Sequence, residues 1–257
     1  MIVATWNVNG IRARAQRLTE WLAERKPDVA CLQELKGVED EFPHVELRAA
    51  GYHAVLAGQA GWNGVAVIAR TPPDLRIREL SGAAEAGARF ILARVGDLDV
   101  ASVYVPNGKT VAHPDYRVKL AFLERLAEHV ESRGRDAPFV LGGDFNVCTT
   151  ALDSYGGEGF EGHIFHTPEE RALVGRLRAA GLVDVFRAKH PEDPGFTWWD
   201  YRAGAFHKKM GMRLDILFAT PGIAARVANV FVDRDYRKKS KAGAVPSDHA
   251  PLIVELG

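Results

Sequence analysis

Asp144 and Asn146 stand two positions apart in "VLGGDFNV", residues 140–147, an apolar run that passes through two glycines and ends in polar side chains. On extended backbone, side chains at i and i+2 share one face. Gly142 and Gly143 just before them would let another group come close to the main chain. This suits a binding site, although Gly, Asp and Asn also build ordinary turns. The same design recurs along the chain. "TWNVNG" places Asn7 and Asn9 just past an apolar strand, "CLQELK" places Gln33, Glu34 and Lys36 past another, and "SVYVPNG" supplies Tyr104 and Asn107. Near the C-terminus, "MRLDILFAT" carries Asp215 and "PSDHAPL" carries Asp248 and His249. Singly, each has a plain explanation as a turn former, a surface charge or a half-buried aromatic.

Asp215 resists that explanation. It lies between Leu214 and Ile216 in a run that reads as buried, where an ionised carboxylate needs a charged or hydrogen-bonding partner. His249 is boxed between Asp248 and "APLIV". Neighbours on extended chain point to opposite faces, which leaves Asp248 badly placed to hold the His249 ring and makes Asp215 its natural partner. A carboxylate on one imidazole nitrogen raises the basicity of the ring and leaves the other nitrogen for a substrate. The whole set holds carboxylates, amides, a phenol and a histidine, with no thiolate ligand and no Walker glycine loop. Oxygen ligands of this kind suit Mg²⁺ or Mn²⁺, which keep most of their waters and take one or two acids plus substrate phosphate. A hard divalent ion beside an imidazolium would stabilise charge developing on a phosphoryl oxygen, so phosphodiester hydrolysis is the reaction these parts serve best.

Strands must position these groups. Apolar, largely β-branched runs at 2–6, 29–33, 64–69, 89–95, 98–105, 138–143, 214–219 and 250–255 read as strands, with a tight "GD" connection between 89–95 and 98–105. Helical stripes run through Ile11, Ala15, Leu18 and Leu22, and through Leu120, Leu123, Ala127 and Val130. A third helix opens at "TPEE", where Thr167 and Glu170 form a capping box and Pro168 fits the first turn; Leu173, Leu177 and Ala180 face inward. Adjacent strands mixed with fewer helices favour an antiparallel or mixed sheet arrangement over a doubly wound parallel fold.

The 257 residues, 47% hydrophobic, show no linker, repeat or low-complexity tract, and a single domain spanning 1–257 is expected. No basic leader opens the chain and no apolar run approaches the roughly 18 residues of a membrane span, so a cytoplasmic protein with no membrane partner is expected. Cys31 and Cys148 read as buried free thiols. Net charge is zero. Basic side chains nevertheless gather in "IRARAQR" (Arg12, Arg14, Arg17), "HKKMGMR" (Lys208, Lys209, Arg213) and "YRKKSK" (Arg237, Lys238, Lys239, Lys241). Such runs are commonly solvated faces, but together on one side of the fold they would hold a polyanion.

In order and across nearly the whole chain, "TWNVNGIRAR", "LQELK", "YVPNG", "GGDFNV", "GLVDVFR", "TWWDYR", "RLDILFAT" and "SDHAPL" resemble the exonuclease III family of apurinic/apyrimidinic (AP) endonucleases. The resemblance implies a four-layer α/β sandwich of the deoxyribonuclease I type, two packed mixed β-sheets flanked by helices. It also implies cleavage of double-stranded DNA 5′ to abasic sites, with 3′ to 5′ exonuclease and 3′-phosphatase activities, by a monomer using Mg²⁺, for which Mn²⁺ is a plausible substitute. By position, Glu34 would be the main metal ligand with Asn7 and Asp248 nearby. Asp144 would deprotonate the attacking water and Asn146 would bind the scissile phosphate. His249, held by Asp215, would stabilise charge on it beside Tyr104. Trp199 corresponds to the aromatic lining the abasic pocket, Arg12, Lys36 and Lys109 are phosphate-contact candidates, and Asn9 and Asn107 complete the DNA-binding set; Arg213 is a weaker candidate. The Gly-rich stretch 153–170 and "GWNG" (Trp62, Asn63) depart from the best-known members, which leaves the balance of activities open. Sphingomyelinases and inositol-phosphate phosphatases share this chemistry, but "YVPNG" and "TWWDYR" disfavour them; a catalytically dead DNA binder would not need Asp144 and His249 together.

Overall fold

The computed structural model describes residues 1–257. The chain opens with β1 (Ile2–Asn7), α1 (Ile11–Arg25) and β2 (Val29–Gln33), then α2 (His44–Ala49), β3 (His53–Ala57), β4 (Val65–Ala69) and β5 (Asp74–Ile77). A hairpin of β6 (Phe90–Val95) and β7 (Leu98–Tyr104) leads to α3 (Pro114–Glu131) and β8 (Phe139–Asp144). Next come α4 (Pro168–Ala179), β9 (Val183–Asp184), α5 (Val185–Lys189) and a small ribbon, β10 (Trp198–Trp199) with β11 (Gly211–Met212). β12 (Asp215–Ala219), α6 (Pro221–Ala224), β13 (Val227–Val232) and β14 (Leu252–Leu256) complete it.

One sheet runs β13-β14-β1-β2-β4-β3 and the other β5-β6-β7-β8-β12-β9. Each is mixed. The pairs β1/β2 and β7/β8 are parallel and every other pair is antiparallel. Parallel neighbours need a crossover connection, and α1 and α3 supply it. Alternation along the strands then makes the layers. Val3, Cys31, Val65 and Val67 meet Ile91, Val100, Val140 and Leu217 between the sheets. On the outer faces, Trp6 and Leu32 pack with Leu18, Trp21 and Leu22 of α1, while Leu141 and Phe218 pack with Phe122 and Leu126 of α3 and with Val174 and Leu177 of α4. Helices, sheet, sheet and helices form the four layers expected.

The same alternation decides where the polar strand ends point. Asn7 shares parity with Val3, Gln33 with Cys31, Tyr104 with Val100, Asp144 with Val140 and Asp215 with Leu217, so all five emerge in the seam between the sheets. Register brings them level, because Asp144 lies opposite Tyr104 on one side and Asp215 on the other. The two glycines have a different use from the one expected. A Cβ on Gly142 would sit 3.3 Å from Cys31 Sγ and from Thr5 Cβ, and one on Gly143 would sit 1.9 Å from the Val103 carbonyl oxygen. They admit neighbouring protein, not a ligand.

The expected strands appear within one or two residues of their bounds, and the Thr167 capping box forms, with Thr167 Oγ1 accepting from the Glu170 N–H at 3.2 Å and Glu170 Oε2 accepting from the Thr167 N–H at 3.0 Å. The stripe on α3 is shifted from the expected one: Lys119 is fully buried and Leu120 only partly so. Both thiols are free and buried, and burial pushes Cys31 up to about 12, which keeps it inert. No helix is long and apolar enough to cross a membrane.

Candidate active site

Just past the strand ends the backbone is bent into an unusual shape. Asn9, Glu34, Lys36, Lys109 and Asn146 take positive φ values of 49°, 52°, 54°, 58° and 49°. A non-glycine residue in this left-handed region gives up on the order of 1–2 kcal/mol, and such positions gather at sites where geometry matters more than stability. Surrounding hydrogen bonds hold the strain in place. The Glu34 carbonyl accepts the Gly10 N–H at 2.7 Å, and the Leu35 and Lys36 N–H groups donate to Gly64 and Asn63 at 3.1 and 2.9 Å.

At the centre, the Asn7 side-chain amide donates to Glu34 Oε1 and to Asp144 Oδ2, each at 2.9 Å. One nitrogen thus holds both acids, whose oxygens lie within about twice that distance of each other. His249 Nε2 stands 3.8 Å from the same Asp144 Oδ2, and His249 Nδ1 donates to Asp215 Oδ2 at 2.7 Å. The pairing expected from strand geometry is present. Ser247 fixes the approach of this segment, donating to the Asn7 carbonyl at 2.7 Å and accepting the His249 N–H at 3.1 Å. Asn146 donates its main-chain N–H to Asp144 Oδ1 at 2.9 Å and its side-chain amide to the Val105 carbonyl at 3.0 Å.

Electrostatics separate the acids. Burial pulls Glu34 up, but Lys36, with Nζ at 2.8 Å from Oε2, and the Asn7 amide outweigh it and hold the carboxyl below its ordinary value. Burial pushes Asp144 up to about 7; His249 opposes this, while Asp215 and Glu34 add to it. Burial alone would discharge His249, yet Asp215 and then Asp144 overcome it and raise the ring to about 10. Tyr104 remains a protonated phenol, since burial, Glu34 and Asp144 all raise it well above its usual value.

The donor set is that of a site for a hard divalent cation. No group of three or more His, Cys, Asp or Glu side chains forms a cage, and Mg²⁺ characteristically takes only one or two carboxylates with waters filling the rest. Glu34 and Asp144 press like charges together in a buried place, and one Asp215 oxygen has no hydrogen-bond partner. A hard cation fits this excess of oxygen and negative charge. Asn7 and Asp248, the other ligands expected, are both engaged in hydrogen bonds. The Asn7 amide nitrogen faces both acids while its oxygen accepts the Asn9 N–H at 3.0 Å. Asp248 is spent on Asn9 Nδ2 at 2.8 Å and on Trp198 Nε1 at 3.1 Å. Both organise the site through hydrogen bonds.

Glu34, Lys36, Tyr104, Asn107 and Lys109 line an open cleft of about 560 Å³. Asn9 reaches the same group through its side-chain oxygen, which accepts from Lys36. Arg12 lies outside it and pairs with Glu41 at 2.6 Å on the solvent side. Trp199 is a correction: it is 1% exposed and packs on Phe206, and the indole beside the site is Trp198. Arg213 is also interior, clamped by Asp153 at 2.8 Å and Asp184 at 2.9 Å. Arg17 and Arg237 are buried too, so the basic runs do not form one phosphate-binding face. Of two further cleft residues, Arg89 escaped the sequence reading and Trp62 was noted there only as a departure from the family. Arg89 has its guanidinium 4.4 Å over the Tyr104 ring and no carboxylate partner, and Trp62 stands 72% exposed on the rim. Neither carries a spacing signal, because hairpin closure alone brings them to the cleft.

Known proteins share this arrangement of the chain. The family model described as Endonuclease/Exonuclease/phosphatase family matches residues 4–249. An exodeoxyribonuclease III of Haemophilus influenzae is 33% identical, with 98% of each chain covered. Among solved structures, the 3′ phosphatase NExo from Neisseria bound to a product DNA hairpin superimposes with a TM-score of 0.94 at 35% identity, covering 100% of this chain and 99% of that one. An AP endonuclease from Archaeoglobus fulgidus gives 0.94 at 33% identity with the same coverage. By the extent of these matches and the fold they share, the chain belongs to the endonuclease/exonuclease/phosphatase family.

Proposed function

We propose that the protein is a metal-dependent DNA repair nuclease that hydrolyses phosphodiester bonds in duplex DNA, incising 5′ to abasic sites and trimming 3′ ends and 3′-phosphates. The observation that carries this reading is the single Asn7 amide joining Glu34 to Asp144, with the Asp215–His249 pair against the same Asp144 oxygen. The DNA-bound relative supports the choice of polymer. Asp144, raised to about 7 by burial and its acidic neighbours, is poised to take the proton of an attacking water. His249 is charged at neutral pH and directs Nε2 toward the place where charge gathers on the phosphoryl oxygens. The Tyr104 hydroxyl offers a hydrogen bond to the same phosphate, and the Asn146 amide would do so in exchange for its present bond to the Val105 carbonyl. Mg²⁺ or Mn²⁺ on Glu34 would supply Lewis-acid stabilisation of that charge. Lys36, Arg89, Asn107 and Lys109 line the cleft, which would take the sugar-phosphate backbone. Two free, buried thiols suit a reducing compartment.

Strand scission of a synthetic duplex with one abasic site, and phosphate release from a 3′-phosphate end, test the reading with Mg²⁺, with Mn²⁺ and with chelator. Scission with metal that stops in chelator is expected, and Asp144→Asn abolishes it while duplex binding survives. Chelator-resistant scission, or equal loss of binding and cleavage in Asp144→Asn, overturns the roles given to these residues.

A further inference from the structure

A charged pair lies behind the site with no part in the chemistry just described. Lys119 of α3 and Glu170 of α4 are both 0% exposed and in direct contact. Glu170 is already occupied as the cap of its own helix, accepting from Thr167 and from the Phe165 N–H at 3.2 Å. The Lys119 ammonium spends its other hydrogens on two carbonyls, that of Asn146 at 2.6 Å and that of Asn107 at 3.3 Å. These belong to the two loops whose amides the proposed function assigns to the phosphate, and Asn146 is in the left-handed conformation. Phe165 covers the ammonium, 4.7 Å from its ring centroid. A buried pair is a poor source of stability, since desolvation consumes most of the attraction. Its use lies in direction.

We propose that Lys119, anchored by Glu170, is a positioning residue that holds Asn146 in its strained backbone shape and ties the 153–170 segment to the reacting phosphate. The inference rests on the role given above to Asn146. Lys119→Met alone strands a buried carboxylate and is prone to unfold, so the informative variant is Lys119→Met/Glu170→Gln, which removes both charges and keeps an acceptor for the helix cap. Glu170→Gln alone controls for the cap. The double variant is expected to keep its melting temperature within about 5 °C and to lose on the order of ten- to a hundredfold in kcat on Mg²⁺-supported duplex cleavage, with KM within about twofold. In an Asn146→Ala background the same replacement changes kcat by less than about twofold, because the residue it acts through is gone. An unchanged kcat in the double variant, a loss matched by Glu170→Gln alone, or an equal loss in both backgrounds overturns the inference and leaves the site reading standing. Asn146→Ala with native kcat overturns the site reading and the inference with it.

Discussion

Asp215→Asn keeps the shape of the seam and removes one charge, so its effect falls on His249. The Nδ1–Oδ2 contact is 2.7 Å and both groups are buried. Burial disfavours the imidazolium, and Asp215 is the largest of the influences that reverse this and lift the ring from 6.5 to about 10. That rise corresponds to roughly 5 kcal/mol of preference for the charged form. Without Asp215 the burial penalty stays and the main compensation goes, so the ring is neutral near pH 8. An electrostatic donor aimed at developing charge contributes about 2.7–4 kcal/mol, hence kcat should fall on the order of 10²–10³-fold with little change in KM. The assay is kcat against pH on an abasic duplex at saturating Mg²⁺. The native profile should lose activity on the alkaline side as His249 discharges near pH 10, and the variant should lose it at lower pH. An alkaline limb in its native place, with kcat at pH 8 within about threefold of native, would refute the assignment of charge to His249.

Glu34→Gln is expected to raise the Mg²⁺ concentration for half-maximal cleavage by about tenfold or more while duplex affinity in chelator stays near native, read from a metal titration and a binding isotherm. The two indoles should separate cleanly: Trp199→Ala lowers stability by about 3–5 kcal/mol in urea unfolding, whereas Trp198→Phe, which removes the donor to Asp248, preserves stability and shifts KM. Asp153 governs acid resistance. Burial pushes its carboxyl up, but Arg213 outweighs this and holds it down to about 2. A depressed folded value adds stability that is complete above the ordinary 3.9 and is lost as pH falls toward 2, worth about 2–3 kcal/mol. Asp153→Asn should remove that slope from the urea midpoint between pH 4 and 2, and a slope kept in full would count against the Arg213 clamp.

Much of the site was legible because a strand has a period of two. Polar residues at the ends of apolar runs keep the parity of the run, and once the apolar face is a seam the polar ends must share it; Asn7, Tyr104, Asp144 and Asp215 follow from this alone. The basic runs misled for a complementary reason. Arginines adjacent in sequence were consumed by partners far from them, Arg213 by Asp153 sixty positions away and Arg17 by the Tyr236 ring at 4.1 Å. Which of Trp198 and Trp199 faces the site depends on the pairing of β10 with β11, too short a ribbon to leave a pattern. Lys119 broke the helical stripe from within, since a buried cation looks like a solvent-facing one until Glu170 is seen beside it.

The division of labour among the acids follows from where each finds its counter-charge. Glu34 has Lys36 at 2.8 Å and Asp215 has the His249 ring at 2.7 Å. Asp144 lies between them with only a share of His249 at 3.8 Å. Burial and two neighbouring carboxylates therefore raise this one acid to about 7 while Glu34 stays below its ordinary value. On the proposed function, two carboxyls driven apart in this way take different tasks, the ionised one to hold a cation and the raised one to move a proton. The split depends on register. Asp144 faces both Tyr104 and Asp215 only while β8 keeps its pairing, and a slip of one residue would turn it into the helix layer and drive a side chain into the place of Gly143. The steric demand of two glycines thereby fixes which carboxylate in the seam is raised, and so which one the proposed function can use as the base.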